Sequence, residues 1–258
     1  MTPSSKTRRV ACVTGGASGI GQAIASQLAS SGYQVIVADI AAADSGGVVS
    51  ERHDVASEQS WVDLTRKIAA EFGGLHILIN NAGLCINQAL TEMTLESWRR
   101  QMAVNLDGAF LGLKHCIPVI ASSGGGSIVN IASVAGIRGI PGLAGYCASK
   151  AGIICMTKAA ALECAAQRNN IRINAVLPGA IETPIWAKLA NDGNLPTSDA
   201  AREAAMQAQR AGAIAATPIG FAGAPADIAR MVAFLVSDEA RFITGAEFLV
   251  DGGASAGT

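Results

Sequence analysis

Val10-Ala11-Cys12-Val13-Thr14-Gly15-Gly16-Ala17-Ser18-Gly19-Ile20-Gly21 is a short apolar run that breaks into a glycine-rich turn and restarts as a helix near Ile20. Val10–Val13 has the length and β-branching of a buried strand. Glycine lets the backbone turn tightly and lets a ligand approach where a side chain would intrude. The helix that follows presents unpaired N–H groups and the positive end of its dipole, which suits a pyrophosphate. The spacing is G-x-x-x-G-x-G, a departure from the dinucleotide fingerprint G-x-G-x-x-G. The strand before it, the helix after it and its place near the chain start nevertheless meet the context that a nucleotide-binding loop requires.

Outward from this loop the pattern repeats. Val35–Ala38, Ile77–Asn80, Ile128–Ile131, Ile171–Val176 and Phe248–Val250 read as further strands, with a weaker one near Val48. They are short and apolar without alternation, as parallel strands covered on both faces are. Helices are expected near 20–30, 58–72, 95–120, 146–167 and 225–237. Strand–helix alternation implies right-handed βαβ units. The expected fold class is α/β: a doubly wound parallel sheet of Rossmann type, in one domain spanning 1–258, with helices on both faces and a small lid. Residues 1–9 read as a flexible tail. The lid is 184–220, where Pro184, Pro196 and the run Asn191-Asp192-Gly193-Asn194 precede an alanine-rich helix over 197–214.

Composition narrows the function. The 258 residues carry 19 Lys+Arg against 20 Asp+Glu, a net charge of -1, which argues against nucleic acid as a partner. Half the residues are hydrophobic, but the longest charge-free run, Val10 to Ala38, is broken by glycines, serines and glutamines, so no segment reads as a membrane span. No apolar leader with a cleavage site follows the first residues, and a cytoplasmic protein is expected. The six cysteines form no C-x-x-C pair and His53, His76 and His115 share no ligand spacing, so no metal is expected.

Asp39 stands 18 residues after Gly21, at the end of the second strand. A carboxylate there accepts hydrogen bonds from the adenosine ribose and repels a 2′-phosphate. No Arg or Lys follows in Ile40–Ala43, so NAD is expected over NADP; the plainer role for Asp39 is to cap the next loop.

Tyr146 and Lys150 lie one helical turn apart. A neighbouring ammonium favours phenolate and lowers the tyrosine pKa, which would fit Tyr146 to act as a general base on an alcohol. Ser133 follows the strand Ile128–Ile131 and so stands at the carboxyl edge of the sheet, where open α/β sheets bind ligands. Asn105 falls on the stripe Trp98, Met102, Ala109, Leu113, and a buried amide must find partners or cost about 1–3 kcal/mol. A purely structural network is the alternative role for it.

Taken together these residues resemble the short-chain dehydrogenase/reductase family over nearly the whole chain. The matching pieces are Thr14 to Gly21, Asp54-Val55, Asn80-Asn81-Ala82-Gly83, Asn105, Ser133, Tyr146-x-x-x-Lys150 with its 13-residue step from Ser133, and Pro178-Gly179. The resemblance implies a catalytic set of Asn105, Ser133, Tyr146 and Lys150. Tyr146 would be the acid/base, Ser133 would hold the substrate oxygen, and Lys150 would bind the nicotinamide ribose and depress the Tyr146 pKa. Asn105 would position a water linking Lys150 to solvent. It also implies cofactor contacts by Gly15, Ser18, Gly19, Ile20, Gly21, Asp39, Asp54, Val55, Asn81, Ala82, Gly83, Tyr146, Lys150, Pro178, Gly179, Ile181 and Thr183. The reaction implied is reversible hydride transfer between a secondary alcohol and NAD.

The expected pocket walls are Val134 to Leu143, the loop after Pro178, and Ile185, Trp186, Leu189 and Met206 of the lid. Their apolar character favours a neutral alicyclic, aromatic or aliphatic alcohol. Arg138 reads either as a solvated rim residue or as a clamp for an anionic substrate group. The resemblance further implies a homotetramer. Three alternatives share parts of the pattern: an NADPH-dependent 3-oxoacyl-type reductase, a lyase of related fold such as a halohydrin dehalogenase, and a non-catalytic NAD-binding sensor. Asp39 and the net charge speak against the first. The glycine loop with Lys150 speaks against the second, and the complete Ser133–Tyr146–Lys150 set speaks against the third.

Overall fold

The computed structural model describes residues 8–43, 47–183 and 199–256, apart from the side chains of residues 199–202, 205, 206 and 209. Its elements in chain order are β1 Val10–Thr14, α1 Gly19–Ser30, β2 Gln34–Asp39, β3 Val48–Arg52, α2 Glu58–Phe72, β4 Ile77–Asn80, α3 Leu95–Gln101, α4 Gly108–Ser122, β5 Gly126–Ile131, α5 Ala144–Gln167, β6 Ile171–Pro178, α6 Asp199–Ala215, α7 Pro225–Val236 and β7 Glu247–Val250. The seven strands form one all-parallel sheet in the order β3-β2-β1-β4-β5-β6-β7. The order reverses between β1 and β4, which opens the crevice at the carboxyl ends of the strands where ligands of doubly wound sheets bind.

The unbroken apolar runs of the strands have a direct cause. Alternate residues face opposite layers. Cys12, Ile36, Leu78, Ile128 and Ile173 pack against one layer, with Trp61, Leu64 and Ile68 of α2, Cys116 and Ile120 of α4, and Ala161 and Cys164 of α5. Val13, Val35, Val37, Ile77, Ile79, Val129 and Val176 pack against the other, with Ile24 and Leu28 of α1 and Ile228, Val232 and Leu235 of α7. A sheet covered on both faces leaves no polar face to alternate with. At its ends α2 uses ordinary capping chemistry: the Ser57 side chain accepts from Ser60 N, and Gly73 closes the last turn at φ 76°.

The expected helix over 95–120 is not one regular helix. α3 ends at Gln101, a π-helical turn runs Met102–Asp107, and α4 then continues. A π turn inserts one extra residue and so rotates the face presented before it. Gln101 and Asn105 are therefore the buried residues here, while Met102, placed on the buried stripe by strict periodicity, is half-buried. Among the described residues no helix is long and apolar enough to cross a membrane. The lid residues Ile185, Trp186 and Leu189, the side chain of Met206 and most of the proposed 1–9 tail lie outside the described residues.

Candidate active site

The crevice begins at the glycine turn. Gly15 takes φ 62° and Gly19 φ 56°, the left-handed region in which side chains are strained. A Cβ on Gly21 would sit 2.2 Å from the Gly15 carbonyl oxygen and 2.4 Å from Asn81 Nδ2, so only glycine lets α1 start this close to the turn. Ser18 precedes α1 in an extended conformation and its side chain makes no capping hydrogen bond. No acidic residue stands in the first turn. The helix N-terminus therefore keeps its positive end unneutralised, and the cradle fits a dinucleotide pyrophosphate.

Thr14 and Asn81 lock the two sides of the switch point together. The Thr14 hydroxyl donates to Ile79 O at 3.2 Å and accepts from Asn81 N at 3.0 Å and Ala82 N at 3.1 Å. Asn81 Nδ2 donates to the Thr14 and Gly15 carbonyls, each at 3.0 Å. Asp39, at the end of β2, accepts from Ala17 N and Ala41 N, both at 3.0 Å. It thus does cap its own loop and also steadies the glycine turn. Each carboxylate oxygen retains further acceptor capacity. Asp54 is exposed and accepts from Ala56 N at 2.9 Å, while the buried Val55 packs on Gly108 and accepts from Trp61 Nε1 at 2.9 Å.

Past the crevice the second group assembles. Ser133 caps a 3₁₀ turn, Val134–Gly136, by accepting from Ala135 N at 3.1 Å, and its hydroxyl is near enough to the Tyr146 phenol to favour the ionised form. Tyr146 is half-buried in the first turn of α5. Lys150 Nζ is buried, donates to Ile131 O at 2.8 Å and lies 5.6 Å from the centre of the Tyr146 ring. Asn105 Nδ2 donates to Leu84 O at 2.9 Å and Ser149 Oγ at 3.0 Å, and its oxygen accepts from Leu84 N at 2.8 Å. Ser149 donates in turn to the Tyr146 carbonyl at 2.8 Å. A Cβ on Gly83 would meet Asn105 Oδ1 at 3.3 Å and Lys150 Nζ at 3.5 Å, so this glycine admits both side chains to one place.

The electrostatics depart from the expectation drawn from spacing. Burial pushes the Tyr146 pKa up, the neighbouring Cys85 adds to the rise, and only the Ser133 hydroxyl opposes it. Burial likewise lowers Lys150 to about 8, partly countered by Cys85. Removing both groups from water penalises phenolate and ammonium alike, so the tyrosine is held as a phenol.

The remaining positions line the other side. Pro178 ends β6 and Gly179 donates to Val250 O at 3.0 Å, with no room for a Cβ against Asp251. Ile181 is buried and bridges to Gly223. Thr183 is half-buried at the edge of the described residues, beside Glu182, which pairs with Arg210 of α6. Arg138 is not the solvated rim residue expected. It is half-buried and donates to Ala254 O at 2.7 Å, beside Asp251, whose carboxylate accepts from Gly253 N and Ser255 N at 2.9 Å each. The guanidinium thus fastens the segment after β7 to the loop that follows Ser133.

Sequence reading missed three residues that the fold brings here. Ser149 passes the Asn105 amide on to Tyr146. Gln101 is fully buried and accepts from Ile86 N at 3.2 Å. Its position four residues before Asn105 was the available signal. Arg52 is the parallel-register partner of Asp39, a neighbour that only the β2–β3 pairing reveals. Among the described residues no group of His, Cys, Asp and Glu is arranged to hold a metal.

Comparison with known proteins agrees with this geometry. Residues 15–255 match the profile of a family described as Enoyl-(Acyl carrier protein) reductase. The chain is 38% identical to the 2,5-dichloro-2,5-cyclohexadiene-1,4-diol dehydrogenase of Sphingobium indicum, covering 96% of this chain and 97% of that protein. It is 39% identical to the NADP-dependent (R)-specific alcohol dehydrogenase of Lentilactobacillus kefiri, again covering 96% and 97%. The ligand-free aldohexose dehydrogenase of Thermoplasma acidophilum superimposes with a TM-score of 0.87 at 34% identity, over 97% of this chain and 95% of that one. A glycine cradle at the switch point, the Ser133–Tyr146–Lys150 cluster beside it and these full-length likenesses place the chain in the short-chain dehydrogenase/reductase family.

Proposed function

We propose that this protein interconverts a secondary alcohol and its ketone, with a nicotinamide dinucleotide as the hydride partner. The observation that carries the reading is the convergence of the Ser133 hydroxyl, the Tyr146 phenol and the Lys150 ammonium at the carboxyl edge of β5, next to the uncapped start of α1. When bound, the nicotinamide supplies and accepts the hydride. Thr14–Gly21 and Asn81–Gly83 hold the dinucleotide, with Asp54 and Val55 on its adenine side and Pro178, Gly179, Ile181 and Thr183 on its nicotinamide side. Ser133 donates to the substrate oxygen and Tyr146 exchanges the hydroxyl proton. A phenol kept protonated by burial suits ketone reduction. Alcohol oxidation needs the phenolate, which the Ser133 hydroxyl favours. Asn105 acts through Leu84 and Ser149 to fix the turn that carries Tyr146.

A neutral alicyclic alcohol is the favoured substrate class. The loop beyond Ser133 offers the buried apolar Val134 and Ala135, Arg138 is engaged with the chain's own backbone, and a relative carries a cyclohexadiene-diol dehydrogenase name. NAD is the favoured cofactor, on the carboxylate of Asp39 at the ribose end. A second reading, NADP, is favoured by the cross-strand neighbour Arg52 and by the NADP-dependent relative. The reading carries with it a cytoplasmic homotetramer. Formation of reduced nicotinamide, followed by near-ultraviolet absorbance over a panel of secondary alcohols with NAD and NADP offered separately, tests it. Turnover with NAD on cyclohexanol-type alcohols is expected. Binding of the dinucleotide without turnover on any alcohol would overturn the enzymatic reading.

A further inference from the structure

The opposite edge of the sheet holds a second cavity with a different chemistry. At the amino ends of the central strands an open cavity of about 350 Å³ is lined by Arg9, His76, Asn170 and Arg172, the loop Ser123–Gly126, and Asp238. Its walls are built closely. Gly124 and Gly125 take φ of 93° and 104°, a Cβ on Gly125 would lie 2.5 Å from Asn170, and one on Gly126 would lie 1.9 Å from the His76 carbonyl oxygen. Asn170 itself sits at φ 57°.

The cations here are only partly neutralised, by the single carboxylate of Asp238. Arg172 is fixed by donation to the carbonyls of Leu235 at 2.8 Å, Ser237 at 3.0 Å and Ile243 at 3.4 Å, all uncharged acceptors at and beyond the end of α7. Arg9 has one carboxylate partner, Asp238, at 3.5 Å with its side chain fully exposed, a contact worth little in water. All three side chains line the one cavity; burial first, and then the charge of Arg9, lowers the pKa of both Arg172 and His76, with Asp238 partly countering the effect on Arg172. His76 Nδ1 accepts from Val10 N at 3.1 Å, which leaves Nε2 as the ring's hydrogen-bearing nitrogen. Two arginines, one of them preorganised, beside an imidazole N–H and one exposed carboxylate, form a recognition set for a tetrahedral oxyanion.

We propose that this cavity binds a phosphate-class dianion, at a site separate from the dinucleotide crevice. The anion sits between Arg9 and His76 with the Arg172 charge behind it, and displaces Asp238 from Arg9. Inorganic phosphate and a small phosphate monoester share this chemistry, and the cavity exceeds the size of a bare phosphate.

The test follows the His76 ring proton resonances, identified by their disappearance in His76→Gln, while inorganic phosphate or glycerol 3-phosphate is added at constant ionic strength. This reporter ignores phosphate bound at Gly15–Gly21, on the far edge of the sheet. A saturable shift of His76 is expected, with His53 and His115 unmoved and the His76 pKa rising, since an anion favours the protonated ring. Tighter binding of glycerol 3-phosphate identifies a monoester as the ligand, and equal binding identifies free phosphate. Arg9→Gln is expected to weaken the response about tenfold or more, and Asp238→Asn to strengthen it. A His76 resonance that stays still with both anions, or moves equally in Arg9→Gln, overturns the proposal.

Discussion

Lys150 Nζ donates to the Ile131 carbonyl at 2.8 Å, two residues before Ser133, so the lysine of α5 is tied to the strand end that aims the serine. Tyr146 stands one turn earlier on the same helix, between the two. Tyr146→Phe removes the exchangeable proton and leaves this scaffold intact. Turnover is expected to fall about 10²–10⁴-fold, with dinucleotide binding retained in a fluorescence titration. Turnover equal to wild type would remove Tyr146 from the mechanism.

Gly21→Ala places a methyl group where the Gly15 carbonyl and the Asn81 amide already lie. The glycine turn must open to admit it, and the cradle loses its shape. Dinucleotide affinity is expected to drop about tenfold or more. The measurement is the dissociation constant of the reduced dinucleotide by fluorescence, with circular dichroism to establish that the fold persists.

Asn105→Ala strands the part-buried Leu84 N–H and carbonyl and takes from the Ser149 hydroxyl the donor it accepts from, leaving its own donation to the Tyr146 carbonyl. Loss of such partners costs about 1–3 kcal/mol per group left unpaired. Urea denaturation is expected to show a lower midpoint with an unchanged slope, and kcat is expected to fall as the first turn of α5 loosens. An unchanged midpoint would show that the amide carries no structural load.

Cofactor choice turns on the end of β2. Asp39→Ala removes both the ribose-facing carboxylate and the support for Ala17 N, so NAD binding is expected to weaken and the margin over NADP to narrow. Arg52→Ala reads the other side. If NADP turnover falls selectively in that variant, the cross-strand arginine is the 2′-phosphate partner, and the NAD preference proposed here is wrong.

His53 supplies a pH signature. Its ring is buried edge-on against Trp61 at 4.4 Å, makes a 2.7 Å hydrogen bond with Ser60 Oγ, and is held by burial at a pKa of about 4 against an ordinary 6.5. The unfolded chain takes up this proton as pH falls below about 6.5, whereas the folded chain waits until about 4. The neutral ring's stability contribution is full above 6.5 and is lost through that window, on the order of 3 kcal/mol in all. Chemical denaturation from pH 7 to 4 is expected to show this loss, and His53→Gln to flatten it.

The strands and helices were legible because their residues face two apolar layers: Ile77-Leu78-Ile79 reads as a buried parallel strand from its composition alone. The motif residues Gly15, Asn81, Ser133, Tyr146 and Lys150 do gather in one crevice, since their spacing fixes where each stands on a strand end or a helix turn. Asn105 was found through the cost of burying an amide, yet the π turn that carries it was not, because a one-residue widening leaves no mark in apolar periodicity. The raised Tyr146 pKa was missed for a related reason. Spacing gives the neighbour Lys150, but the burial that raises the phenol is a property of the assembled layers. Arg138 shows the same limit, since its partner, the Ala254 carbonyl, is far away in the chain.

The strand order has a consequence for the chain as it is synthesised. β1 is fully buried and interior to the sheet, and its neighbour β2, with β3 beyond it, follows within the opening stretch of sequence. Its other edge pairs with β4, which leaves the ribosome only after α2 has been made. Until Ile77–Asn80 arrives, a nascent chain carries an open apolar strand edge of the kind that recruits other strands. Parallel pairing admits no hairpin shortcut across that interval. Translation pauses between α2 and β4 would therefore cost yield through aggregation, and synonymous codon changes in that interval would alter recovery of active protein without changing a single residue.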